Sequence, residues 1–483
     1  MTRDVASFGH DADWSGVRAL VTGFGVSGFA AADTLQHLGA DVVVVDEREP
    51  VDDRRREEAT LLETLGVDLR LGPGSTASLP EGLDLVVTSP GWAPYVPLLR
   101  SAADADVPVW GEVELAWRLR GPDAAPWLCV TGTTGKTTTV QMLDAILRAA
   151  GLRSAAVGNV GRPVLEAVMD PEPLDVLAVE LSSYQLHWSS SLAAESAAVL
   201  NIAPDHLDWH GSLEEYAAAK GRIYEHVRTA CVYNVADPRT EALVREADVV
   251  EGARAIGFTL GVPAPGQVGL VDDVLADRAF VEERRDSAAE LATLADLSDP
   301  VPHQVENALA AAALARSHGV PPAAVREGLR SFRTAPHRIA EVATADGVRW
   351  VDDSKATNTH AAAASLRGVE SAVWVAGGQA KGATFDELVE GARDRLRAAV
   401  LIGVDRELVA EALRRHAPDV PVVEVSTGED DLMDRVVDAA AALAQPGDTV
   451  LLAPACASFD QFASYGARGD AFAAAVRRHL GRQ

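Results

Sequence analysis

An α/β fold in three domains is what this sequence predicts, and three observations lead there. The chain has 483 residues, more than one ordinary hydrophobic core organises. Apolar strand-like runs alternate with helical stretches, the pattern of parallel sheets covered on both faces. The texture also restarts twice, after GPDAAP (Gly121–Pro126) and at FRTAPHR (Phe332–Arg338), both rich in turn-forming residues. The domains are accordingly placed at residues 1–122, 123–335 and 336–483.

The first domain opens with VRALVTGFGVSGFAAADTLQHLGADVVVVDE, which reads as strand, glycine turn, helix and second strand. Val42–Val45 suits a strand buried on both faces, and Leu83–Gly91 adds another strand ending in Ser-Pro-Gly. DDRRREE (Asp52–Glu58) reads as a solvated helix start. Gly23, Gly25 and Gly28 precede the first helix, and Asp46 ends the next strand. Such glycines let backbone approach a diphosphate at a helix N-terminus, and the carboxylate accepts from a ribose or base. The context makes a Rossmann-like nucleotide site. The same pattern also serves a tight turn, and which nucleotide binds is not legible.

The second domain begins WLCVTGTTGKTTTVQMLDAILRAAG. In Gly132, Thr133, Thr134, Gly135, Lys136, Thr137 and Thr138 the backbone amides cradle phosphates. Lys136 reaches the terminal phosphates, and Thr137 is placed to ligate magnesium. The loop departs from the full P-loop pattern, because Val130 takes the first glycine's place. Glu180 ends the apolar run DVLAVE, where a buried carboxylate calls for a metal or a cation. Asp205, His206 and Asp208 follow the next strand, AAVLN. Lys220, in EYAAAKGRIYEH, reads by itself as a solvated helical lysine. HQVENALAAAALARSHG (His303–Gly319) is strongly helical.

In the third domain VRWVDDSKATN, SAVWVAGGQAKG, AAVLIGVDR, VPVVEV and DTVLLAPACASFDQF read as five strands. Asp352, Asp353, Lys355, Thr357, Asn358, Lys381 and Ser458 lie at or just past strand ends. Two lysines among hydroxyls suit a dicarboxylate or a phosphate, since cations and donors offset an anion's desolvation.

Hydrophobic residues make up 48% and charged ones 24%, a globular balance, with a net charge of −28. That charge argues against nucleic-acid or anionic-membrane partners, which need a positive surface. No apolar h-region or 18-residue apolar run is present, so neither secretion nor membrane insertion is expected. Cys129, Cys231 and Cys456 are odd in number and widely spaced, which points to reducing cytoplasm.

Taken together, TGTTGKTT, VELSSYQL, LNIAPDHLD, AAKGRIYE, PHR, DDSKATN and GGQAKG resemble the Mur ligases of peptidoglycan synthesis over nearly the whole chain. PACASFDQF and YGARGDAF are similar to the members that add D-glutamate. The resemblance implies a central P-loop ATPase-type domain between two Rossmann-like domains. ATP would phosphorylate the carboxylate of UDP-N-acetylmuramoyl-L-alanine, and D-glutamate would attack the acyl phosphate through a tetrahedral intermediate. Lys136 would stabilise the transferring phosphoryl group. Thr137 and Glu180 would hold one Mg²⁺, and His206 would join a second site. Lys220 would carry a CO₂-derived carbamate that approaches the second ion, against the reading of that lysine alone. Gln304 and Asn307 would meet adenine, Arg338 the ATP phosphates and Asp353 the ribose. Lys355, Thr357, Lys381, Ser458, Phe459 and Tyr465 would form the D-glutamate pocket. The UDP-substrate would be bound by Gly25, Val26, Ser27, Asp46, Gly91 and Asn159, with His206. Thr134, Gln304 and Asp352 stand where the family usually has Asn. A cytoplasmic monomer that closes on binding is expected. Alternatives are another amide ligase of the superfamily, such as a folate-extending one, an NAD-dependent oxidoreductase built on GFGVSG, or a non-catalytic nucleotide sensor.

Overall fold

The computed structural model describes residues 5–50, 53–333, 339–426 and 431–481. They gather into two compact units, one made of residues 1–202 and 217–332, the other of 203–216 and 333–483.

The first unit contains two sheets. In the first, β1 (Arg18–Thr22), β2 (Asp41–Asp46), β3 (Asp68–Leu71), β4 (Leu85–Thr88) and β5 (Val109–Gly111) run in the order β3-β2-β1-β4-β5, all parallel. The valines and leucines of the central strands β1, β2 and β4 are buried on both faces, as the unbroken apolar runs require. The strand order reverses between β1 and β4, where open α/β sheets leave a ligand crevice. The Asp53–Thr64 helix covers the basic run, and Leu62 is its buried anchor.

The second sheet has nine strands: β6 (Trp127–Thr131), β7 (Ser154–Gly158), β8 (Val176–Glu180), β9 (Ser196–Val199), β10 (Ala230–Asn234), β11 (Arg254–Thr259), β12 (Gln267–Val271), β13 (Val274–Asp277) and β14 (Ala289–Thr293). Their order is β14-β13-β12-β11-β10-β9-β6-β8-β7, with antiparallel pairing confined to β12–β13 and β13–β14. The helices Lys136–Ala149 and Pro302–Ser317 pack into this core. The second is alanine-rich and almost wholly buried, so its neighbours come close.

Side chains tie the two sheets of this unit together. Glu114 accepts from the Ser190 and Ser191 amides at 2.8 and 3.0 Å. The Trp188 indole donates to Trp92 O at 3.3 Å. The Arg120 guanidinium lies 3.9 Å over the Trp117 ring and 5.6 Å from that of Trp127.

In the second unit, β15 (Ala340–Ala345), β16 (Val348–Asp352), β17 (Ala372–Gly377), β18 (Leu396–Ile402), β19 (Val422–Glu424) and β20 (Thr449–Leu452) run in the order β15-β16-β20-β17-β18-β19. Only β15 is antiparallel among these pairs. All five strands expected from the sequence form, and β15 is added to them. Apolar clusters cover both faces. No helix among the described residues is long and apolar enough to cross a membrane.

Candidate active site

The nine-stranded sheet sets out its polar residues at the C-terminal ends of β6, β8 and β9. β6 lies between the other two, with Val130 opposite Glu180 and Thr131 opposite Val199. Val130, the departure from the P-loop pattern, is therefore a fully buried strand residue, and the loop proper starts at Gly132. Asn201, just past β9, braces that loop: its carbonyl accepts from Thr133 N at 3.0 Å and its side chain from Thr134 N at 2.9 Å. The Thr134 hydroxyl also reaches Asn201 Oδ1 at 3.3 Å, so a threonine satisfies this part of the loop. Gly135 has φ +83, and a Cβ there would lie 2.4 Å from Asn307 Oδ1. Only glycine fits such a left-handed, crowded position. Asn307 Oδ1 accepts in turn from Thr139 Oγ1 at 3.3 Å.

Lys136 Nζ donates to Gly132 O and Thr133 O at 2.8 and 3.0 Å, which keeps it over the loop's own carbonyls. Thr137 and Thr138 are buried in the first turn of the following helix. Glu180 is 1% exposed, its Oε1 accepts from Asn159 Nδ2 at 2.8 Å, and its Oε2 is buried without a hydrogen-bond partner. Gln304 is likewise 1% exposed with neither amide atom paired.

Lys220 corrects the reading made from its own helix. It is buried, and its Nζ donates to Gly132 O at 2.9 Å and reaches Thr131 Oγ1 at 3.5 Å. A helical period reports a face, not what covers it.

In the first sheet, Gly25 caps the helix Val26–His37, and open space surrounds both Gly25 and Gly91. Val26 is exposed, so this helix start faces outward; Ser27 follows in the first turn. Asp46 is buried, and its oxygens accept from the Phe24 and Arg48 amides at 2.8 and 3.0 Å. It clasps the glycine turn in place. Glu47, which sequence reasoning passed over, accepts from the Gly74 and Thr76 amides and the Thr76 hydroxyl. It thereby fixes the loop after β3.

The second unit brings its own loops together. Gln379 and Ala457 exchange both backbone hydrogen bonds at 2.9 Å, which sets the loop carrying Lys381 beside that carrying Ser458. Lys355 Nζ lies 5.4 Å from the Tyr465 ring centroid. Thr357 is half-buried, Ser458 is buried and Phe459 is 73% exposed. Asp353 accepts from Ile339 N at 3.3 Å and from the Ser365 hydroxyl. Asp352, another departure, accepts from Ser354 N at 2.9 Å. Arg338 lies outside the described residues.

Asp205 and Arg468 are the residues here that sequence reasoning did not assign. Asp205 lies 3.8 Å from Lys381 Nζ, accepts from Asn358 Nδ2 at 3.2 Å and takes the His206 amide at 3.0 Å. Both His206 and Lys381 have left-handed backbone, φ 55 and 51, a strain that persists where surroundings over-determine it. Arg468 is fully buried: it donates to Ser354 Oγ and O at 2.9 Å and to Cys456 O at 3.2 Å. Burial pulls its pKa down to about 10, and it stays charged at neutrality. Cys456 is buried as well, and burial pushes its thiol up to about 12, far from a reactive thiolate.

Comparison with known proteins supplies the rest. Residues 17–111 match the model of the MurD-like N-terminal domain of Mur ligases, 130–315 the Mur ligase middle domain, and 337–456 the Mur ligase glutamate ligase domain. A curated relative from Streptomyces avermitilis, named UDP-N-acetylmuramoylalanine--D-glutamate ligase, is 63% identical over 96% of this chain and 99% of its own. Relatives of the same name from Thermobifida fusca and Mycolicibacterium smegmatis are 57% and 48% identical, each over 96% of this chain and 99% and 97% of theirs. Among solved structures, UDP-N-acetylmuramate-alanine ligase from Thermotoga maritima aligns with a TM-score of 0.56 at 20% identity, covering 96% of this chain and 99% of its own. MurF ligase from the same organism, in complex with ADP, aligns at 0.56 and 18%, covering 97% and 96%. Those two likenesses carry the fold alone. Three domain models in sequence, and relatives 48–63% identical along nearly its full length, establish that the chain belongs to the Mur ligase family.

Proposed function

We infer that this protein is an ATP-dependent ligase that joins D-glutamate to UDP-N-acetylmuramoyl-L-alanine in making peptidoglycan precursor. The observation that carries the reading is the pairing of a P-loop with Glu180, whose Oε2 is buried, unpaired and one strand away. Relatives with more than half of these residues in common bear the corresponding name.

A carboxylate is a poor electrophile, and phosphorylation supplies the leaving group it lacks. The substrate carboxylate oxygen attacks the γ-phosphorus of ATP; an O–P bond forms, the β,γ-bridge breaks and ADP departs. The D-glutamate nitrogen then adds to the carbonyl carbon. The tetrahedral intermediate collapses with C–O cleavage, releasing inorganic phosphate, while the amine's protons pass to the medium. Lys136 neutralises charge on the moving phosphoryl group. Gln304 and Asn307 offer amide edges to the adenine, and Asp353 and Arg338 are assigned to ribose and phosphate. Lys355, Thr357, Lys381, Ser458, Phe459 and Tyr465 receive the dicarboxylate. Gly25, Val26, Ser27, Asp46, Gly91 and Asn159 are assigned to the UDP-substrate.

The donor set suits Mg²⁺, which is held by one or two carboxylates together with phosphate oxygens. Glu180 and Thr137 would hold the ion, with His206 and a carbamoylated Lys220 assigned to a second, and bound Mg²⁺ screens the phosphoryl charge. Lys220→Ala is expected to lose most turnover, and acetate to restore part of it by taking the carbamate's place.

Phosphate release from ATP tests the whole reading. Release is expected only with UDP-N-acetylmuramoyl-L-alanine and D-glutamate both present. Equal release with another amino acid, or none without further components, overturns it.

A further inference from the structure

Three loops of the second unit, those after β17, β18 and β20, lock onto one another. Gly378 follows β17 with φ +136, and a Cβ there would lie 2.2 Å from Ala457 O. A Cβ on Gly403, just past β18, would lie 2.3 Å from Gly378 Cα. The loop Gly403–Asp405 is thus wedged against the one that carries Lys381. Two hydrogen bonds fasten the pair: Asp405 N donates to Gly378 O at 3.0 Å, and Ala380 N donates to Asp405 Oδ2 at 2.8 Å. Val404 N donates in turn to Asp460 Oδ2, in the loop after β20, at 2.9 Å.

Asp405 occupies the N-cap of the helix Arg406–His416, where an aspartate ordinarily accepts from the first turn of its own helix. Its side chain makes no such bond; the carboxylate reaches Ala380 instead. The turn that starts at Ala380 gives the reason. Ala383 N donates to Ala380 O at 3.0 Å, and the residues between, Lys381 and Gly382, have φ 51 and 78. Positive φ at both centres is the sign pattern of a type I′ turn, which glycine adopts readily and lysine does not. Such backbone persists where its surroundings hold it. Ala380 is buried, so its amide needs a partner inside the protein, and Asp405 supplies it. With that amide and the Ala380 carbonyl both held, the turn is fixed at the residue before Lys381.

We propose that Asp405 is a positioning residue for the D-glutamate step: it anchors the turn that presents Lys381 to the incoming dicarboxylate. Asp405 touches no substrate and acts through that lysine. The proposal rests on the reading of Lys381 as a ligand of D-glutamate. In sequence Asp405 reads only as the end of AAVLIGVDR, because its partner lies in another loop, 25 residues away.

The test is steady-state phosphate release by the full-length protein and by Asp405→Asn, Asp405→Ser, Lys381→Ala and the Asp405→Ser, Lys381→Ala double variant. Serine remains a good N-cap for the helix, but its oxygen sits one bond nearer the backbone and gives up Ala380. Asparagine keeps an acceptor at the carboxylate's reach. Asp405→Ser is expected to raise the KM for D-glutamate about 10-fold. Its KM values for ATP and the UDP-substrate should stay at the parent's, which also shows that it is folded. Asp405→Asn is expected to match the parent throughout. On top of Lys381→Ala the serine should add nothing, because residues that act through one another are not additive. The proposal is overturned if Asp405→Ser leaves the KM for D-glutamate unchanged or adds its full effect to that of Lys381→Ala. It is overturned equally if Asp405→Asn behaves as Asp405→Ser. If Lys381→Ala itself leaves that KM unchanged, the reading of Lys381 has failed, and the proposal with it.

Discussion

Glu112 is buried at the start of the helix Glu112–Leu119, and its carboxylate accepts the Leu165 amide at 2.6 Å. Burial pushes its pKa up to about 7, the Leu165 hydrogen bond opposes that, and Glu166 adds to it. A raised folded pKa means that the folded state holds the proton more tightly. The stabilisation is therefore complete below about 4.5, the unfolded value, and is lost as pH rises through about 7, a change of at most about 3 kcal/mol. Glu112→Gln is expected to abolish this slope, matching the parent at pH 4 and exceeding it at pH 8 in chemical denaturation. Gln304 presents the opposite case, a neutral amide kept inside without partners. Gln304→Leu is expected to raise unfolding free energy by about 1 kcal/mol, since an unpaired buried amide is removed. It should raise the KM for ATP at the same time. Stability and nucleotide affinity moving together would contradict the assignment of that amide to adenine.

At the scale of elements, Arg468 joins the helix Tyr465–Leu480 to the ends of two strands through Ser354 and Cys456. Arg468→Ala leaves those buried carbonyls unmatched and is expected to cost about 2–5 kcal/mol. Arg468→Lys should be intermediate, because one ammonium lacks the fork that spans both loops, and the KM for D-glutamate should rise in both. Equal stability of parent and Arg468→Ala by denaturant unfolding would refute the clamp. Long apolar strands such as Val42–Val45 and Val373–Ala376 were legible because burial on both faces leaves a continuous signature. β12, β13 and β14 were not, since QVGLV, VLAD and AELAT are short and mix polar residues into the pattern. The loop lysine and Glu180 were legible from motif and strand end. Lys220 and Arg468 were not legible from their own helices, because what buries a long cationic side chain is a loop remote in sequence. Recognition of the family motif, not periodicity, set Lys220 apart from a solvated lysine, and the structure shows it buried.

Across the whole molecule, 71 acidic against 43 basic residues leave a net charge of −28. Self-repulsion of that size opposes compactness and is screened by salt. Thermal midpoints are expected to climb between 20 and 200 mM sodium chloride, by roughly a few degrees; a flat or falling profile would contradict this. The division of the chain carries a further consequence. Residues 203–216 belong to the second unit although first-unit residues flank them on both sides. A recombinant fragment starting at Arg333 would thus forfeit His206 and Asp205, and no single truncation excises the second unit intact. Chimaeras that swap this half between relatives must graft two stretches of gene, not one.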